Sequence, residues 1–234
     1  MTPNPLPTPK LILFDVYETL LDMSEIEKRV NALMNSKMGY RMWFEVFMQY
    51  CFVDNCTVQF NDFSSIAQAT MQMTAGLFGK TISDHDIDDL LEVMKHLPLH
   101  EGVQEGLSKL KDLGFRLAAL TNSPSRVVLD RMHRTGLISY FEMVLSAEHV
   151  QKYKPCIEVY DWAATKLGAA PETILLVSSH GWDIAGAANA KMKTACIKRG
   201  AELLYPLAPV PDISCYSVAE LAEILAERSA TDAG

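Results

Sequence analysis

From Pro98 onward, stretches that read as amphipathic helix alternate with short apolar runs, and this alternation narrows the folds open to the chain more than any other feature. "GVQEGLSKLKDLG" is amphipathic and closes on glycine; "FRLAALT", directly after it, has the length and composition of a buried strand. "PSRVVLDRMHRTG", "IEVYDWAATKLG", "DIAGAANAKM" and "SVAELAEILAE" read as further helices, and "FEMVLS", "TILLVSS" and "KTACIK" as further strands. Strands that are apolar without alternation, each followed by a helix, belong to a parallel sheet covered on both faces. The expected fold class is α/β, a doubly wound, Rossmann-like parallel sheet.

The first strand stands far from the others. In "KLILFDVYETLLD", Leu11 to Phe14 read as a buried parallel strand that leaves Asp15 at its carboxyl end. "SEIE" (Ser24 to Glu27) has the spacing of a capping box, with a helix expected to about Asn35. Helical patches and polar breaks then alternate from Tyr40 to about Lys95, with little strand-like pattern. The expected organisation is a core over 10–21 and 98–228, interrupted by a helical cap over 22–97. The methionines and aromatics of the insert suit packing between helices, with some free to face a substrate. No internal repeat is visible, and the proline-rich start is the one biased tract.

Composition removes several function classes. With 234 residues, 49% hydrophobic and 21% charged, the chain can bury a substantial core, and no apolar run reaches bilayer length. "MTPNPLPTP" resembles a flexible leader and not a secretory signal, so a cytoplasmic location is expected. A net charge of −8 argues against nucleic acid as partner, and an anionic substrate would need specific cations. Cys51, Cys56, Cys156, Cys196 and Cys215 form no CxxC pair, which suggests reduced, mostly buried thiols.

Polar residues mark four strand ends: Asp15; Thr121 and Asn122; Lys154; and the run from Ser178 to Asp183. Singly, each could cap a turn or a helix. In a doubly wound sheet, however, strand ends converge on one crevice. The stretches "FDVYET", "LTNSPS", "KPCIEVY" and "VSSHGWD" resemble the four motifs of the haloacid dehalogenase superfamily, over essentially all of the chain from Lys10 onward. Phosphatases of that superfamily carry a second aspartate where this chain has Tyr17, and an acidic magnesium ligand where it has Ser179. The L-2-haloacid dehalogenases carry this Tyr, the Ser-Ser pair and the "WD" ending, and use neither metal nor cofactor.

The resemblance implies that Asp15 is a nucleophile that displaces halide from carbon 2 of a small halogenated carboxylic acid, forming an ester that water hydrolyses. It implies that Lys154 keeps Asp15 ionised. Thr19 would hydrogen-bond near the nucleophile or tie the first loop to the sheet, Thr121 and Asn122 would donate to the substrate carboxylate, and Ser178 and Ser179 would line the site. Asp183 would orient Lys154 or cap the next helix. Arg41, on an insert helix, would receive the halide; Tyr160 and Trp182 would border the pocket. A homodimer is expected, as among its relatives. Two positions depart from the common pattern: Glu18 replaces glycine, and His180 replaces asparagine. Together they suggest a dyad in which the carboxylate orients an imidazole that activates water, as in a variant of the family. A magnesium-dependent small-molecule phosphatase and a silent binding protein are the alternatives.

Overall fold

The computed structural model describes residues 9–200 and 204–232, so the expected leader lies, apart from Pro9, outside the described residues. Strand β1 (Leu11–Phe14) is buried along its whole length, as four successive apolar residues covered on both faces must be. Four helices separate it from the rest of the sheet: α1 (Ser24–Met34), α2 (Gly39–Thr57), α3 (Phe63–Leu77) and α4 (Asp84–Met94). Then follow α5 (Val103–Asp112), β2 (Arg116–Thr121), α6 (Ser125–Arg134), β3 (Met143–Ser146) and α7 (Ile157–Leu167). β4 (Ile174–Ser178), α8 (Gly181–Asn189), β5 (Lys193–Ile197), β6 (Ile213–Cys215) and α9 (Val218–Asp232) complete the order. The expected α/β class holds.

The sheet runs β3-β2-β1-β4-β5-β6, and every pairing is parallel. β1 therefore has β2 on one side and β4 on the other, and the chain winds outward in both directions from it. That is the switch point at which loops splay apart and leave a crevice. The alternation of side chains divides β1 between two cores. Ile12 and Phe14 join Leu107 of α5 and Leu221 of α9, whereas Leu11 and Leu13 join Val159 of α7 and Ala187 of α8. Gly106 lets α5 and α9 meet, since a Cβ there would come within 2.3 Å of the Val218 carbonyl carbon. β6 was not expected from sequence. Its three residues are too few to show a period, and pairing with β5 creates it.

The capping box expected at Ser24 does not form. Ser24 is already the first helical residue of α1, Met23 occupies the N-cap, and Asp22 accepts the Ser24 N–H at 2.8 Å. The carboxylate just upstream reaches that amide first. A capping box closes instead at Ser83 and Asp86, opening α4. Between the insert helices, Trp43 stacks on Phe47, and Phe47 meets Phe63. Cys51, Cys196 and Cys215 are buried, Cys156 is half-buried and Cys56 is exposed, and none of the five is in a disulfide.

Candidate functional site

The site grows from the carboxyl end of β1. The Asp15 N–H donates to the Val177 carbonyl at 2.9 Å, which extends the β1 to β4 ladder by one residue and fixes where the carboxylate emerges. The chain then turns back sharply, with the N–H groups of Leu20 and Leu21 both reaching the Val16 carbonyl. This turn returns the Thr19 hydroxyl to Asp15, where it donates to Oδ2 at 2.8 Å. Thr19 Oγ1 also accepts the Ser179 N–H at 3.0 Å, which ties the loop after β1 to the loop after β4.

The loop after β2 holds the lysine. Asn122 accepts the Lys154 N–H at 2.8 Å and donates to the Lys154 carbonyl at 3.3 Å, so its amide clamps that residue's backbone. Lys154 is fully buried. Its ammonium donates to Asp15 Oδ1 at 2.9 Å, Asp183 Oδ2 at 2.7 Å and the Leu120 carbonyl at 3.2 Å, using all three protons. Burial pulls the Lys154 pKa down, but the two carboxylates outweigh it and the net shift is upward. Burial likewise pushes Asp15 up, but the charge and hydrogen bond of Lys154, with the hydrogen bond from Thr19, hold its carboxyl below the usual value. Asp15 is thus an ionised, aimed carboxylate. Tyr160 donates to Asp183 Oδ1 at 2.6 Å; burial and that carboxylate push the phenol well above its usual pKa, so it remains a donor.

His180 is the N-cap residue of α8, and its N–H donates to Ser178 Oγ at 3.1 Å. Asp183 therefore lies inside α8 and does not cap it, because the extended backbone of His180 already begins the helix. The imidazole stacks against Phe44 and Trp182, with centroids at 5.3 and 5.0 Å. Its Nδ1 lies 3.5 Å from Glu18 Oε2, and its Nε2 lies 3.7 Å from Asp15 Oδ2. The other oxygen of Glu18 accepts the Tyr40 hydroxyl. Burial and Glu18 push the Tyr40 phenol far up, which keeps its proton in place. Glu18 adopts φ +61°, in the left-handed region that favours glycine.

A cavity of about 320 Å³ opens between these loops and α2, α3 and α4. Of the residues expected at the site, Asp15, Tyr17, Thr121, Asn122, Lys154, His180 and Trp182 line it. Glu18, Thr19, Ser178 and Asp183 stand behind that wall, bonded to residues that form it, and Ser179 and Tyr160 stand one step further back, bonded to Thr19 and Asp183. Arg41 is not in the wall. α2 turns Tyr40, Trp43, Phe44, Phe47 and Met48 toward the cavity, and the helical period carries Arg41 off that face. An arginine that does line the cavity is Arg131 of α6, buried to 6% exposure. No motif in the sequence singles it out. The available signal was its place on the apolar stripe of Val127, Val128 and Met132.

With this geometry in place, the relationships of the chain can be given. Residues 9–191 match the family model of the haloacid dehalogenase-like hydrolases. This chain belongs to that family. It is 27% identical over 225 residues to (S)-2-haloacid dehalogenase from Pseudomonas sp. (strain YL), which covers 94% of this chain and 97% of that protein. It is 26% identical over 208 residues to haloacetate dehalogenase H-2 from Moraxella sp. (strain B), covering 87% and 92%. In fold it resembles L-2-haloacid dehalogenase from Xanthobacter autotrophicus with chloropropionic acid covalently bound. That likeness has a TM-score of 0.83 at 20% identity and covers 93% of this chain and 98% of the other.

Proposed function

We propose that this protein is a hydrolytic dehalogenase that converts L-2-haloalkanoic acids to D-2-hydroxyalkanoic acids. The observation that carries the proposal is the buried Asp15 carboxylate facing an apolar-walled cavity, held ionised by Lys154 and flanked by His180. The relatives named (S)-2-haloacid dehalogenase support the same reaction.

In the first step an Asp15 oxygen attacks carbon 2 from the side opposite the halogen. The new C–O bond forms as the C–halogen bond breaks, the halide leaves with the electron pair, and the carbon inverts. The apolar walls suit this displacement because they strip water from the carboxylate. In the second step His180 Nε2 takes a proton from water, and the resulting hydroxide adds to the Asp15 carboxyl carbon. Charge then develops on an Asp15 oxygen, and Lys154, already 2.9 Å from Oδ1, is placed to stabilise it. Breaking the acyl–oxygen bond releases the hydroxy acid and leaves Asp15 as a carboxylic acid, which loses its proton to solvent to restore the carboxylate. The proton on His180 neutralises the departing alkoxide. Glu18, braced by Tyr40, sets the imidazole tautomer and stabilises the imidazolium.

In this proposal 22–97 acts as a cap that closes the site, no metal or cofactor takes part, and the enzyme works in the cytoplasm as a homodimer. Halide release from (S)-2-chloropropionate, with and without EDTA, is the direct test. Turnover should be unaffected by chelation, yield the D-hydroxy acid, and disappear in Asp15→Asn, whose amide is a poor nucleophile. Loss on chelation with rescue by magnesium would return the phosphatase alternative to first place.

A further inference from the structure

The dehalogenase reading requires a receptor for the substrate's carboxylate, which must find hydrogen bonds once it enters an apolar cavity. Most of the donors expected for it are already committed. Asn122 clamps the backbone of Lys154 through both ends of its amide. Thr121 Oγ1 accepts the Ser123 N–H at 3.1 Å, which leaves its own proton as a neutral donor that supplies no charge. Lys154 has spent its three protons on Asp15, Asp183 and Leu120. His180 lies between the Glu18 and Asp15 carboxylates.

Two buried donors on the cavity wall have no acceptor among the described residues: Arg131 Nε and the Tyr17 hydroxyl. They are neighbours. Burial raises the Tyr17 pKa, and Ser123 and Arg131, both beside its hydroxyl, oppose that rise. Arg131 is not simply a structural ion pair. Its Nη1 donates to Asp130 Oδ2 at 3.0 Å, but that oxygen also takes Arg134 Nε at 2.8 Å, and the Asp130 side chain is 45% exposed. The pairing satisfies the outer side of the guanidinium and leaves its inner edge unmet, which is costly for a buried charged donor.

We propose, resting on the dehalogenase reading, that Arg131 and the Tyr17 hydroxyl form the site that binds the substrate's carboxylate. Parallel N–H groups of a guanidinium match two carboxylate oxygens, a geometry that a spherical halide cannot exploit. The charge comes from α6 of the core, next to the loop that carries Asn122, and not from the insert helices. Acids are thereby preferred over their amides and esters, and the carboxylate anchors carbon 2 while Asp15 attacks.

Propionate, which has the carboxylate and no halogen, isolates this contact from turnover. Calorimetric titration of the full-length wild type should show binding that weakens about 10- to 100-fold in Arg131→Met and about 3- to 10-fold in Tyr17→Phe, the range for a charge-assisted and a neutral hydrogen bond. KM for (S)-2-chloropropionate should rise by similar factors, with kcat changing less, and Arg131→Lys should recover part of the loss. Competitive inhibition by bromide should be unchanged. Tyr17→Phe preserves ring shape, so it decides the matter if Arg131→Met does not fold. Unchanged propionate binding in these variants overturns the assignment, as does a loss of bromide inhibition in place of propionate binding, which would make Arg131 the halide receptor. A wild type that binds propionate through Arg131 yet releases no halide would keep this site and remove the dehalogenase reading instead.

Discussion

Glu18 is the residue at which this chain departs furthest from what its backbone prefers. At φ +61° a side chain costs about 1 kcal/mol relative to glycine, and the contacts to Tyr40 and His180 are what that strain supports. Glu18→Gly and Glu18→Ala both remove the carboxylate, but only glycine relieves the backbone. The glycine variant should therefore be more stable than the alanine variant by about 1 kcal/mol in urea unfolding, while both lose activity. Equal stability would mean that the backbone relaxes and stores no strain. His180 belongs to the second half-reaction alone. His180→Ala should release up to one halide per active site in a burst, then stall as an ester seen as added mass on the peptide carrying Asp15. Its steady-state rate should fall by about 10²- to 10⁴-fold. Adding Glu18→Ala should cost nothing further if the two work as a unit. Normal turnover, or failure of the first halide release, would remove His180 from this role.

At the scale of elements, α2 and α3 carry most of the aromatic wall that the insert contributes to the cavity, so the anchoring of these helices matters to the site. Asp62 is the N-cap of α3, and its side chain accepts the N–H groups of Ser64 and Ser65 at 2.9 and 3.1 Å. Asp62→Ala should cost about 1 kcal/mol of stability. Phe63 and Ser64, one and two residues beyond the cap, line the cavity, so KM for the haloacid should rise more than kcat falls. An unchanged melting temperature would show that water replaces the cap at no cost. The helical period also explains why Arg41 misses the wall. It directly follows Tyr40, and neighbouring residues on a helix point about 100° apart.

At the scale of the whole molecule, Asp15, Lys154 and Asp183 place three ionised side chains in the interior, supplied by the loops after β1 and β3 and by α8. Lone buried charges are costly, so folding and the pairing of these groups are linked. Asp15 has a folded pKa below its unfolded value. Its contribution is therefore present above about pH 4 and lost as pH falls through the lower, folded pKa. The stability of the wild type minus that of Asp15→Asn should shrink as pH falls below about 4, measured by urea unfolding at each pH. A gap that stays constant or widens on acidification would contradict the depressed pKa. Lys154 works in the opposite sense: its pKa is raised on folding, so its contribution is complete below the unfolded value and fades only as pH climbs through the higher, folded one.

Much of this was legible in the sequence because it is local. The doubly apolar run Leu11 to Phe14 is enough to specify a buried parallel strand, and Asp15, Thr121 and Ser178 mark strand ends through the residues immediately before them. Gly106 and β6 could not be read in this way, since one depends on the approach of α9 and the other on pairing with β5. The same holds at the site. That Asn122 would spend its amide on Lys154, 32 residues away, or that Arg131 would face the cavity while Arg41 would not, depends on how separate elements pack. A sequence specifies which residues lie on the apolar face of a helix; only the tertiary structure decides what that face meets.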